Sequence, residues 1–164
     1  MSRCLHEGHE HPEHRERLEV DWRGLVRASI ERVRELGMRK TRALEAVLEH
    51  MARHLCPHTI GDLRRDLGAI CDTATLYRMI ERLVEAGVIR RIGLHERALY
   101  YELVVPDRHS DYLICTRCGA IGDIRPQCPV HELEESLAAE TGYADLHHDL
   151  VFYGVCPECH KEKA

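Results

Sequence analysis

Four cysteines stand in two short knuckles, Cys115-Thr-Arg-Cys118 and Cys156-Pro-Glu-Cys159, separated by residues 119–155. A C-x2-C turn lets two thiolates converge on one ion, and two such turns complete a tetrahedral four-sulfur set. Soft sulfur donors with no open coordination position select a structural Zn2+. Redox dithiols or structural disulfides are the other chemistry open to the same residues. The intervening length suits two strands and a helix, so an ion held by both knuckles pins the last strand of a small domain onto its first.

The elements that must carry these knuckles occupy a chain of 164 residues, room for one domain or two small ones. No apolar run is long enough to span a membrane, and the opening MSRCLHEGHEHPEH lacks the apolar core of a signal peptide. The expected location is therefore the cytoplasm, and the eight cysteines read as reduced, metal-directed thiols. The net charge of -5 hides a partition. Residues 1–22 carry three basic and six acidic groups, net -3; residues 23–97 carry fifteen and ten, net +5; residues 98–164 carry five and twelve, net -7. A basic segment beside an acidic one indicates a nucleic-acid-binding module joined to something else. The expected organisation is a His-rich mobile tail over 1–21, a DNA-binding domain over 22–105 and a dimerisation and metal-binding domain over 106–164. The tail holds Cys4, His6, His9, His11 and His14 without hydrophobic period. It is either a weak transition-metal tract or a solvated segment with no specific role.

In the basic segment, Val26, Ile30, Val33 and Leu36 recur at helical spacing and Gly37 closes the run. Leu44, Val47, Leu48, Met51 and Leu55 mark a second helix, ended by Cys56-Pro57. Thr59 caps a short third helix, with Asp62 as its capping-box partner and Gly68 as its stop. Asp72 or Thr73 caps a fourth, which buries Leu76, Ile80 and Leu83 and ends at Ala86-Gly87. Val88–Ile92 and Ala98–Val104 then form a β-hairpin. Helices followed by a basic hairpin describe a winged helix-turn-helix, whose fourth helix enters the major groove of duplex DNA. Thr73, Thr75, Tyr77 and Arg78 lie near the end of that helix that meets base edges, with side chains suited to phosphates, thymine methyls and guanine edges. The alternative packs Tyr77 on the helical core and leaves Arg78 an ordinary surface charge. Arg90, Arg91 and Arg97 on the wing, and Arg39, Lys40 and Arg42 before the second helix, are candidate phosphate contacts.

After a break at Pro106-Asp107, Tyr112–Cys115 and Ala120–Ile124 read as strands around the first knuckle. Val130, Leu133, Leu137 and Ala138 predict an amphipathic helix ending at Thr141-Gly142, and alternation from Leu146 to Tyr153 predicts a strand running into the second knuckle. The fold class expected is α+β: a winged helix-turn-helix followed by a small α/β domain with a Cys4 zinc site. Such a sheet has exposed edges, and pairing with a second copy would bury one.

Ala74-Thr75-Leu76-Tyr77-Arg78 with Leu83 and Ala86-Gly87-Val88-Ile89 resembles the recognition-helix motif of the ferric uptake regulator family. His109-Ser-Asp111-Tyr-Leu-Ile-Cys115-x-x-Cys118-Gly119 and Cys156-x-x-Cys159 extend the resemblance, which follows the family's order over residues 24–160. It implies a dimeric, metal-dependent repressor of palindromic operators, with a structural Cys4 zinc and at least one exchangeable metal site per subunit. By position the family's regulatory site falls on His109, Asp111 and His148, with His131, Glu132 or Glu134 at the start of the helix. Mixed His and carboxylate donors suit Zn2+ or Fe2+, with Mn2+ a further candidate. The family's hinge site is less well matched: Ser110 and Tyr112 stand where histidines are common, leaving His58, His95, Glu102 and Asp123 as candidates, with Cys56 nearby. A histidine on the wing near phosphate is the other use of His95.

An enzyme is not expected, nor a small organic substrate. His14-Arg-Glu16 matches half of a zinc-deaminase signature, but Ile114 and Val155 stand where the proline before C-x2-C is required. G-x-S-x-G, phosphate-loop and H-E-x-x-H motifs are absent. The abundance of Cys and His favours zinc over iron as the sensed metal. The alternatives are a peroxide sensor of the same family and a metal-buffering protein that binds no operator.

Overall fold

The structure is a computed structural model that describes residues 20–95, 98–106, 111–124, 130–146 and 148–161, without the side chains of residues 93–95, 98, 123 and 131. The predicted tail lies almost wholly outside the described residues. The chain forms two compact units, one ending at Arg108 and the other beginning at His109.

The first unit runs α1 (Trp22–Glu35), α2 (Arg42–Arg53), α3 (Ile60–Leu67), α4 (Thr73–Glu85), β1 (Ile89–His95) and β2 (Ala98–Leu103). Val26, Ile30 and Val33 of α1 meet Leu44, Val47, Leu48 and Met51 of α2 in one core with Leu63, Leu76, Ile80 and Leu83. Each such buried aliphatic side chain contributes about 1.5–3 kcal/mol relative to exposure. The Arg53 guanidinium lies 4.1 Å from the Trp22 ring centroid, joining the start of α1 to the end of α2.

Local chemistry sets the helix ends. Thr41 Oγ1 accepts from Leu44 N at 3.1 Å and starts α2. At α3, Asp62 N donates to Thr59 Oγ1 while Thr59 N donates to Asp62 Oδ2, so the predicted capping box is present. Gly68 ends α3 with φ +62, a conformation that a Cβ disfavours. Of the two caps predicted for α4, Asp72 serves, accepting from Thr75 N at 2.9 Å and Thr75 Oγ1 at 2.6 Å. Helix α2 stops at Arg53, short of the predicted Leu55, because His58 pairs with Tyr101 in an isolated antiparallel bridge and the chain must turn to reach it. Both N–H···O distances of that bridge are 2.8 Å. Strands β1 and β2 are antiparallel, with Arg90 opposite Glu102 and Arg91 opposite Tyr101.

The second unit holds β3 (Asp111–Cys115), β4 (Ile121–Ile124), α5 (His131–Thr141), β5 (Val151–Gly154) and α6 (Pro157–Lys161). The sheet order is β4-β3-β5, with β4 antiparallel and β5 parallel to β3. Two details differ from expectation. The last strand begins at Val151 rather than Leu146, and α6, not predicted, carries the second knuckle. The apolar face of α5 is also not buried within the chain: Leu133 and Leu137 are 54% and 42% exposed. Leu113 and Phe152, partners in the β3–β5 ladder, are likewise about half exposed. None of the helices among the described residues is long and apolar enough to cross a membrane.

Candidate metal centre and nucleic-acid interface

Cys115 ends β3 and Cys118 occupies the turn after it, while Cys156 and Cys159 sit at and within α6. Parallel pairing of β3 with β5 brings the two knuckles together, and Thr116 N donates to Gly154 O at 2.7 Å across the join. The Arg117 guanidinium donates to Cys159 O at 2.6 Å. The four sulfurs lie within 4.8 Å of one another, and Cys118 Sγ is 3.8 Å from Cys156 Sγ. Two sulfurs each about 2.3 Å from a tetrahedral ion stand roughly 3.8 Å apart, so the donor set fits a structural zinc in type, number and spacing.

The electrostatics agree. Burial works against a charge on Cys115, but backbone N–H groups of Cys118, Cys156 and Arg117 outweigh it and bring its thiol down to about 6. Cys159, hydrogen-bonded among the sulfurs of Cys156, Cys118 and Cys115, is pushed up to about 12. Four packed thiols ionise together only when a cation compensates them. Cys71 is also a free thiol, whereas Cys56 is disulfide-bonded and departs from the expectation that all eight are reduced.

A second group lies at the opposite ends of the same two strands. His148, just ahead of β5, places Nε2 3.9 Å from Asp111 Oδ1 at the start of β3 and Nδ1 2.7 Å from Glu134 Oε1 on α5. Of the two residues at the start of the helix with described side chains, Glu134 lies beside His148 and Glu132 is exposed; the side chain of His131 is outside the described set. His109 is also outside it.

Of the hinge candidates, His58 and Glu102 have described side chains. Glu102 is buried on β2 and ion-paired with Arg90 across the wing ladder. The ring of His58 packs at 5.0 Å from that of His50, which stacks in turn at 4.7 Å on His54. His50-x3-His54-x3-His58 is a four-residue period readable in the sequence. His95 and Asp123 have no described side chains.

On the DNA-binding unit, α4 presents Tyr77 at 50% exposure, so this ring does not pack into the helical core. Arg78 is exposed beside it and donates to Thr75 Oγ1 at 3.2 Å. Thr73 and Thr75 are half-buried in the first turn. Arg39, Lys40 and Arg42 are exposed before and at the start of α2, with Lys40 2.7 Å from Glu45. The wing arginines are more engaged than expected: besides the Arg90–Glu102 pair, Arg91 pairs with Glu81 of α4. Arg97 lies outside the described residues.

The model of the ferric uptake regulator family matches residues 35–153. The chain is 31% identical over 140 residues to the ferric uptake regulation protein of Campylobacter jejuni, covering 80% of this chain and 86% of that one. It is 28% identical over 141 residues to the peroxide operon regulator of Bacillus subtilis, covering 84% and 95%. Among solved structures, the Vibrio cholerae ferric uptake regulator superposes with a TM-score of 0.65 at 23% identity, covering 77% of this chain and 98% of that one, which supports the fold. Helical DNA-binding unit, α/β unit and four-cysteine cluster follow one another in the family's order over most of the chain, and this protein belongs to the ferric uptake regulator family, whose members are metal-responsive transcriptional regulators and not enzymes.

Proposed function

We propose that this protein represses transcription in the cytoplasm as a metal-loaded homodimer on palindromic operators, and that Asp111 and His148 with His109 hold its regulatory ion. The observation that carries the reading is the two-sided environment of His148. Its Nε2 faces Asp111, while its Nδ1 is 2.7 Å from Glu134. A ligating imidazole commonly gives its second N–H to a carboxylate, which sets the tautomer and the ring orientation. Glu134 fills that positioning role, and Asp111 shares the metal-facing side. A bound divalent cation supplies positive charge beside the Asp111 carboxylate. His148 and Asp111 then hold β5 to β3 at their leading ends, as the cysteines do at their trailing ends.

Asp111 also opens β3, the first strand of the second unit. Holding it fixes where the linker from the winged helix leaves the sheet, and palindromic half-sites select one spacing of two recognition helices. A cation that prefers this arrangement shifts the population towards the DNA-binding state, with coupling of about 1–3 kcal/mol typical of such switches. The half-exposed Leu113 and Phe152 on the sheet and Leu133 on α5 offer a second copy the apolar surface a dimer needs. On α4, Tyr77, Arg78, Thr73 and Thr75 read the operator while Arg39, Lys40 and Arg42 contact phosphates. Nitrogen and oxygen donors accommodate Zn2+, Fe2+ and Mn2+. The richness in cysteine and histidine favours zinc homeostasis as the regulated process.

The test is an Asp111→Asn, His148→Ala double variant, measured for metal content and for binding to a palindromic duplex in buffered Zn2+ or Fe2+. It is expected to keep its Cys4 zinc and lose metal-stimulated binding. A double variant that responds to metal like the parent overturns the assignment. A parent released from DNA by peroxide in the presence of Fe2+ is a peroxide sensor. Failure to bind any duplex sequence-specifically under every metal leaves a metal-buffering protein.

A further inference from the structure

We propose a second divalent transition-metal site, inside the DNA-binding unit, formed by His50, His54, His58 and Asp66. His50 and His54 are one helical turn apart at the end of α2, so their rings share a face. A His-x3-His pair on one helical face is a recurrent metal clamp. His58 follows in the turn to α3, and Asp66 comes from the last turn of α3. Packing of α2 against α3 therefore gathers three imidazoles and a carboxylate, the borderline donor set that suits Zn2+, Co2+ or Ni2+.

Two observations point to a ligand rather than to ordinary packing. First, His58 Nδ1 is buried without a hydrogen-bond partner, and the buried His50 Nε2 and Asp66 Oδ2 meet each other in a long ion-pair contact that falls short of a hydrogen bond. His58 as a whole is only 1% exposed. Buried polar groups are nearly always satisfied, and an orphaned imidazole nitrogen beside a long His–Asp contact calls for a common partner. Second, His50 Nε2 is 3.5 Å from Asp66 Oδ2. Two ligands at about 2.0–2.1 Å from a tetrahedral ion stand roughly 3.4 Å apart, so this pair already has the spacing of two donors on one cation. Among the described residues only the Cys4 group has all its donors within 4.8 Å of one another. Here His50 and Asp66 already have ligand spacing, while the His54 and His58 rings lie 4.7 and 5.0 Å from that of His50 and would have to turn to complete the shell.

The protonation states support ligation. Burial holds the His58 imidazole down at about 4, partly offset by its hydrogen bond with the His54 carbonyl and lowered further by His50. Burial and the neighbouring His54 also lower His50, against the raising effect of Asp66. Both rings are thereby neutral near pH 7, the form that binds metal. A cation here fastens the end of α2 to α3 within one unit, independently of the switch proposed for Asp111 and His148.

The experiment uses the full chain carrying its Cys4 zinc, titrated with Co2+ and separately with Zn2+. Metal stoichiometry, histidine side-chain NMR signals and the melting of the DNA-binding unit are followed. His58 is fully buried, so His50→Gln and Asp66→Asn, at half-buried positions, carry the test. Each is expected to bind one ion fewer per chain than the parent and to lose the metal-induced rise in melting temperature. The imidazole signals of His50 and His58 should move in the parent and also in His148→Ala, which reports on the other unit. Unmoved His50 and His58 signals in the parent, or parental stoichiometry and affinity in both variants, overturn the site. No operator enters the assay, so its outcome is separate from the regulatory reading.

Discussion

Replacing Cys115 by serine removes one of four sulfurs, the one whose ionised form is favoured by backbone N–H groups of Cys118, Cys156 and Arg117. The zinc knuckles tie residues on either side of a loop of about 40 residues, and cross-linking a loop of that length removes roughly 4 kcal/mol of unfolded-state freedom. The second unit has on the order of 50 residues, for which a total stability of about 3–8 kcal/mol is typical. Its core is correspondingly small: among the described residues, Tyr112, Ile114, Ala120 and Ile121 are its buried apolar residues besides Cys115. Losing the cross-link therefore costs about half of that stability or more. The first unit, with a separate core, is untouched. We expect Cys115→Ser to lose its tightly bound zinc and to show two transitions on heating, the α/β unit melting well before the winged helix. Metal analysis after dialysis against a moderate chelator, with calorimetry and amide hydrogen exchange resolved by unit, makes the measurement. A Cys115→Ser protein that keeps one tight zinc per chain and a parental melting profile refutes the reasoning.

Other perturbations separate the remaining parts. Arg78→Ala is expected to weaken operator binding by about 1–3 kcal/mol and relax one base position per half-site, with Tyr77→Phe weakening it less; competition between operator variants distinguishes this from a uniform phosphate effect, and unchanged affinity in both variants takes α4 out of the groove. Thr59→Ala removes the reciprocal cap of α3 and should cost about 0.5–2 kcal/mol in denaturant unfolding of the first unit. At Asp62, burial alone would raise the carboxyl, but hydrogen bonds from Thr59 and Arg65 bring it below its ordinary 3.8. Its folded form is thus the better acid, so its stabilisation is present above about pH 4 and is lost as pH falls through the lowered folded value. A parent whose acid unfolding matches that of Asp62→Asn contradicts this. Leu113→Asp with Phe152→Asp should turn a dimer into a monomer in analytical ultracentrifugation while zinc content stays the same, because both side chains are half exposed on one face of the β3–β5 ladder.

Much of this protein was legible before any coordinates because its determinants are local. The Thr59–Asp62 capping box, the Asp72 cap and the stop at Gly68 each act within a few residues, so residue type and spacing suffice. The same holds for the C-x2-C knuckles, whose thiols converge through their own turns. Apolar periodicity located α1 to α4 because each buries one face in a single core. Alternation from Leu146 overstated β5, since an alternating pattern reports a face and not the length over which a partner strand is present.

Side-chain partners between elements were decided by tertiary structure. Spacing alone left His131, Glu132 and Glu134 as equals; the placement of α5 against the segment before β5 puts Glu134 beside His148. Arg90 looked like a free phosphate contact until the wing register put it opposite Glu102. His50, His54 and His58 carried a readable four-residue period, but Asp66 joins them only because α3 packs on α2. The physical reason is common to all three: a capping or chelating turn closes within one stretch of backbone, whereas a partner from another element depends on register, rotation and packing summed over the whole unit.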